Sequence, residues 1–193
     1  MSAATVYLIG LPACGKTTLG QALPRQMAKD GLVPARFIDL DEAIENDERA
    51  SVAEIFAAKG ETYFRRAESA MLRRLTAEAA SATAPLVIAC GGGTPCHDGN
   101  IDYMLANGLV VELRTDRATT LRRLLEAPPG QRPLVAKAHG RPEALDAELD
   151  ALEGRRSPVY SLAHAVFDST RLETAHEVEA SAAEFIGRFL KQA

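Results

Sequence analysis

The 193-residue sequence has no tryptophan, aromatic side chains at only 5% of positions, three cysteines and no long apolar run. Each scarcity excludes something. About 18 consecutive apolar residues are needed before a helix can cross a bilayer, so no membrane span is expected. Cysteines at 14, 90 and 96 are too few, and odd in number, for a disulfide framework, which predicts a reduced, cytoplasmic chain. The opening MSAATVYLIG has neither a basic start nor a cleavage site, so no export signal is expected. Positive charge is also not in excess: 22 Lys and Arg against 26 Asp and Glu leave a net charge of −4. That argues against a general nucleic-acid binder, which displays a basic face.

Alanine, in contrast, is abundant. Hydrophobic residues fill 47% of the chain, and 34 of them are alanine, leaving enough larger side chains for one globular core. Alanine lowers the cost of helix and not of strand, so long alanine-faced helices are favoured over an all-β fold. The length predicts a single domain, residues 1–193. A monomer is expected.

Hydrophobic patterning gives the order of elements. TVYLI reads as a strand ending at Gly10, followed by a glycine-containing loop and a helix stopped at Gly31. ARFIDLDE reads as a second strand closed by two carboxylates. Helical patterns follow through SVAEIFAAKG and GETYFRRAESAMLRRLTAEAASA, with Phe64, Ala67, Met71, Leu72 and Leu75 at helical spacing. PLVIAC, a continuous apolar strand stopped by Gly91, Gly92 and Gly93, has the character of a parallel strand buried on both faces. A helix from Asp98 to Ala106, a strand GLVVELR and a helix TDRATTLRRLLEA come next. Pro128 to Pro142 lacks periodicity and reads as a mobile loop, before a helix from Pro142 to Tyr160, a strand AHAVFDS and a closing helix from Thr174 to Lys191. Strands alternating with helices predict an α/β fold with a parallel sheet covered on both sides.

GLPACGKT, Gly10 to Thr17, fits the pattern GxxxxGK[ST] between a predicted strand and a predicted helix. Glycines there let backbone N–H groups curl around phosphate, the helix start adds a favourable dipole, and Lys16 brings a point charge to the outer phosphates. Thr17 has the hydroxyl suited to Mg²⁺. Cys14 is read as a small side chain filling a loop position. At the end of the second strand, Asp39 and Asp41 share a face by the period of two and point toward the carboxyl edge of the sheet, where open α/β folds bind ligands. One can reach the magnesium shell while the other holds or deprotonates an acceptor hydroxyl. The competing reading is that one of them merely caps the following helix.

Taken together, the P-loop, FIDLDEAIE, SVAEIFAAKGETYFRRAE, ACGGGTPC, RPLV and GRRSPVY resemble the shikimate kinase family in order and spacing over essentially the whole chain. The resemblance implies a five-stranded parallel sheet flanked by helices, of the nucleoside-monophosphate-kinase type. It places a mobile lid at about 126–142 and substrate-binding helices at about 41–75. The implied activity is transfer of phosphate from ATP, with Mg²⁺, to the 3-hydroxyl of shikimate, in the biosynthesis of chorismate and aromatic amino acids. Ala13, Cys14, Gly15, Lys16, Thr17 and Thr18 would then hold the ATP phosphates, and Thr17 and Asp39 the magnesium. Asp41, Arg65, Gly92 and Arg156 would hold shikimate, with Lys16, Asp41 and the lid residue Arg132 catalytic. Arg65 and Arg156 suit a carboxylate because their forked donors match it. Glu68, at i+3 from Arg65, would orient that guanidinium. Arg66 and Arg74 read as a solvated face, Cys96 and His97 lack partners for a metal site, and Arg123 and Arg171 are candidates for the adenine contact. LTAEAASATAP exceeds the usual family length and reads as an extended surface helix. The rival expectations are a kinase for another small polyol acid, such as gluconate, and a catalytically silent nucleotide-binding protein.

Overall fold

The computed structural model describes residues 5–127 and 141–191. Five strands, β1 (Thr5–Ile9), β2 (Arg36–Asp39), β3 (Leu86–Ala89), β4 (Leu109–Arg114) and β5 (Ala165–Asp168), form one sheet in the order β2-β3-β1-β4-β5. Every pairing is parallel. The α/β class and the five-stranded parallel sheet expected from the sequence are both present.

The sheet explains the apolar runs. All five residues of β1 and all four of β3 are buried, because helices cover both faces. Alternation along β1 sends Tyr7 and Ile9 into one apolar cluster, with Leu40, Ile44, Phe64, Leu72 and Ile88. Val6 and Leu8 enter the other, with Leu19, Leu23, Val111, Phe167 and Phe185. Each such side chain contributes roughly 1.5–3 kcal/mol of transfer free energy.

The helices are α1 (Lys16–Lys29), α2 (Leu40–Glu48), α3 (Val52–Ala80), α4 (Asn100–Asn107), α5 (Arg117–Glu126), α6 (Pro142–Tyr160) and α7 (Ala175–Phe189). The continuous α3 is two helices in practice, since Gly60 inside it takes φ 79° and ψ 169°, a left-handed φ that glycine adopts without a Cβ penalty. The expected break between the two helical patterns therefore falls at that glycine. At Gly20, the bare backbone of α1 lets the Phe37 ring of β2 pack directly on the helix, where any Cβ would overlap it. The LTAEAASATAP stretch ends α3 and leads into the start of β3, at the sheet edge opposite the strands' carboxyl ends. Among the described residues no helix is long and apolar enough to cross a membrane. The expected lid at about 126–142 falls largely outside the described residues. Its flanking helices α5 and α6 meet through Leu124, Leu145 and Leu149.

Candidate active site

The carboxyl ends of β1, β2 and β3 carry three sequence-local devices to one edge of the sheet. The first is the loop after β1. Ala13 and Gly15 take positive φ values of 63° and 89°, which turn the chain back onto the start of α1. Like α4 and α6, α1 begins without a capping side chain, here at Gly15; what sets it apart is that its first-turn N–H groups follow the turned glycine loop, which suits them to an anion. Lys16 lies folded on that loop, its Nζ donating to the carbonyls of Gly10 and Leu11 at 3.0 Å each. Cys14 is buried, with its Sγ packed beneath Gly10 and 3.5 Å from Lys16 Nζ. It fills the loop as expected.

The second device is the acidic turn after β2, where the sequence expectation needs correction. The strand ends at Asp39 and Asp41 lies in the first turn of α2, so a strand period of two does not align the pair. Asp39 caps the helix, its Oδ1 accepting from the Asp41 N–H at 3.1 Å. Its other oxygen accepts from the Thr17 hydroxyl at 2.7 Å. Capping and the approach to Thr17 were posed as competing roles, and one carboxylate does both because its two oxygens point different ways. The paired hydroxyl and carboxylate are hard oxygen donors of the kind Mg²⁺ takes, so this corner fits that ion. Asp41 is held at about 6, above its ordinary 3.8, first by burial and then by the negative charges of Asp39 and Glu68, with Lys16 opposing.

The third device is the Gly91–Gly93 tract after β3. A Cβ on Gly91 would stand 3.0 Å from Asp41 Oδ1 and 3.1 Å from Glu68 Oε1. On Gly92 it would stand 2.5 Å from Arg156 Nη1, and on Gly93 2.8 Å from both terminal nitrogens of Arg65. Each glycine thus makes room for a different charged group. Asp41, Arg65 and Arg156 come from α2, α3 and α6, and the bare tract lets them converge. Sequence reasoning singled out Gly92 alone.

Behind this trio stands a buried network that the sequence reading mostly missed. Glu68 is fully buried. It accepts from Arg65 Nη1 at 2.9 Å and from the Thr94 hydroxyl at 2.5 Å. The expected pairing of Glu68 with Arg65 is therefore present, while Thr94, Asn100 and Ser69 extend it. The Asn100 amide donates to the Thr94 carbonyl and to Ser69 Oγ, both at 2.9 Å. The only sequence signals were the place of Thr94 immediately after the glycines and of Ser69 next to Glu68, while Asn100, the first residue of α4, carried none. Arg156 forms no ion pair among the described residues. Tyr160, one turn later on α6, is buried and was quoted in GRRSPVY without being assigned a role.

Arg123 lies under the phosphate loop, donating to the carbonyls of Ala13, Ser169 and Thr170 and to Glu173, so its donors are committed to holding the loop against the turn after β5. Arg171 is exposed. Arg132 lies outside the described residues.

Comparisons with known proteins match nearly the whole chain. The family model for shikimate kinase matches residues 12–188. A shikimate kinase from Phocaeicola vulgatus is 37% identical over 176 residues, covering 91% of this chain and 93% of that protein. The crystal structure of shikimate kinase from Bacteroides thetaiotaomicron superposes with a TM-score of 0.83 at 30% identity, covering 96% and 97% of the two chains. Shikimate kinase from Acinetobacter baumannii in complex with shikimate superposes with a TM-score of 0.76 at 28% identity, covering 97% and 93%.

Proposed function

Since the chain belongs to the shikimate kinase family, whose members transfer the γ-phosphoryl group of ATP to shikimate with Mg²⁺, we propose how its own residues divide that work. The observation that carries the reading is the convergence of Asp41, Arg65 and Arg156 on three consecutive glycines beside the phosphate loop. Two guanidiniums and one carboxylate match a small acid bearing hydroxyl groups.

Arg65 and Arg156 clamp the shikimate carboxylate, and Gly92 lets the substrate approach the backbone. Asp41 accepts from the acceptor hydroxyl and directs it toward the nucleotide. A carboxyl held at about 6 is mostly ionised at neutral pH, yet basic enough to take the proton as the new P–O bond forms. The loop from Ala13 to Thr18 holds the nucleotide phosphates. Lys16 exchanges its two loop carbonyls for phosphate oxygens. Thr17 and Asp39 would hold Mg²⁺, which when bound neutralises charge on those oxygens. Arg132 is assigned the remaining cation by its motif alone. Phosphoryl transfer has a loose transition state, so alignment and charge neutralisation supply most of the acceleration. The product, shikimate 3-phosphate, leads toward chorismate and the aromatic amino acids. The net charge of −4 argues against nucleic acid as a partner, and the reading is of a cytoplasmic monomer acting on small molecules.

The test is a coupled assay of shikimate-dependent ADP formation on the wild type, Arg65→Ala and Arg156→Ala. Each variant should lose about 2–5 kcal/mol of kcat/KM for shikimate, the cost of truncating one side of a buried charge pair, with the KM for ATP little changed. Unaltered shikimate kinetics in both would refute the assignment.

A further inference from the structure

The phosphate loop and the glycine tract belong to different strands and are joined by one side chain. The Tyr160 hydroxyl donates to the Gly92 carbonyl at 2.5 Å and lies 3.2 Å from the Gly10 carbonyl. Gly10 O is also an acceptor for Lys16. Gly92 in turn packs against Arg156, which sits one turn before Tyr160 on the same helix. A continuous path therefore runs from the cation on the nucleotide side, through the Gly10 carbonyl, the phenol and the Gly92 carbonyl, to a cation on the acceptor side. Burial holds the phenol above its ordinary range, so the hydroxyl keeps its proton and remains a donor at working pH. The ring is buried in the same apolar cluster as Ile9, Ile88 and Ile101, which leaves the hydroxyl little freedom to follow either loop alone.

We propose that Tyr160 is a positioning residue that sets the spacing between the nucleotide loop and the acceptor loop, so that filling one side organises the other. The physical basis is geometric. The phosphoryl group must cross from the first loop to a hydroxyl held by the second, and misplacement of about 1 Å can cost about a hundredfold in rate. A hydroxyl that donates to one loop's carbonyl while lying against the other's keeps both contacts only when the two loops stand at one separation. A ligand that draws either loop into place then moves the other through Tyr160, and such coupling between two binding sites is necessarily reciprocal.

This inference rests on the site assignment above, and the experiment separates the two. Isothermal titration calorimetry measures shikimate binding to the full chain, alone and with saturating MgADP, for wild type and Tyr160→Phe. Steady-state kinetics give kcat and both KM values. Tyr160→Phe keeps the buried ring and removes only the shared donor. In the wild type, MgADP should tighten shikimate binding. In Tyr160→Phe that tightening should fall to within about twofold of none, while kcat falls about tenfold or more and each ligand alone binds within about threefold of wild type. Ser161→Ala, whose hydroxyl returns to the Pro158 carbonyl of the same helix end, should leave both quantities unchanged. If Tyr160→Phe fails to fold, Tyr160→Met, which also fills the volume without a donor, gives the same comparison. Wild-type coupling and kcat retained in the folded variant would overturn the inference, as would a wild type with no coupling. A wild type inactive on shikimate would instead overturn the site assignment.

Discussion

Asp41 should weaken the fold that it serves. Its carboxyl is held at about 6 in the native protein against an ordinary 3.8, chiefly by burial and by Asp39 and Glu68. At about 1.4 kcal/mol per tenfold change in proton affinity, keeping it ionised costs the native state about 3 kcal/mol at neutral pH. Below pH 3.8 the carboxyl is protonated in both folded and unfolded chains and the cost vanishes. Between 3.8 and about 6 the native state retains a proton that the unfolded state has released. Stability is therefore lost as pH rises through this window. Asp41→Asn removes the charge with little change in shape. It also forfeits about 0.5 kcal/mol of attraction between a carboxylate and the start of α2. The unliganded variant should be more stable than wild type by about 1–3 kcal/mol at pH 7.5, and by about a third of that at pH 4.5. Urea denaturation followed by circular dichroism at both pH values measures the difference, and the same preparation should have lost shikimate kinase activity. A variant no more stable than wild type at pH 7.5, or a gain that does not shrink toward pH 4.5, would refute the argument that this carboxylate is held under electrostatic strain.

Two further outcomes follow from the same geometry. Gly93 has φ −89° and ψ −19°, a conformation open to any residue, so Gly93→Ala adds no backbone strain. Its Cβ, 2.8 Å from both Arg65 terminal nitrogens, must displace the guanidinium, and the KM for shikimate should rise about tenfold with the KM for ATP unchanged; an unchanged shikimate KM would show that Arg65 does not need this position. Removal of divalent cations with a chelator should abolish ADP formation, and added Mg²⁺ should restore it. In Asp39→Asn the restoring Mg²⁺ concentration should be higher, measured as the half-saturating value in the coupled assay. Equal Mg²⁺ requirements in the two proteins would remove Asp39 from the metal corner.

Much of this was legible in the chain because it is encoded locally. TVYLI followed by GLPACGKT states a strand, a phosphate loop and the start of a helix in one short continuous stretch. The fully apolar β3 announced a parallel sheet covered on both faces. The i+3 spacing of Arg65 and Glu68 forecast an ion pair that the structure contains. Less legible was the turn after β2, where the one-residue question of whether the strand or helix claims Leu40 decides how Asp41 is aimed. Strand and helix periods disagree there, and the cap on Asp39 resolves it.

The sequence by itself determined the order of elements, the phosphate-binding loop and the supply of cations, since these depend on periodicity and residue type over short spans. Only the tertiary structure decided which charge each glycine admits, how Asp41 comes to be held at about 6, and that Tyr160 lies between two loops. Those facts arise from contacts spanning large sequence separations, 68 residues from Tyr160 to Gly92 and 150 to Gly10. Packing α2, α3 and α6 together at the sheet edge creates them. A net charge of −4 gave no hint that Lys16, Arg65 and Arg156 would gather at that edge, because a sum over the chain carries no positions and an electrostatic field depends on them.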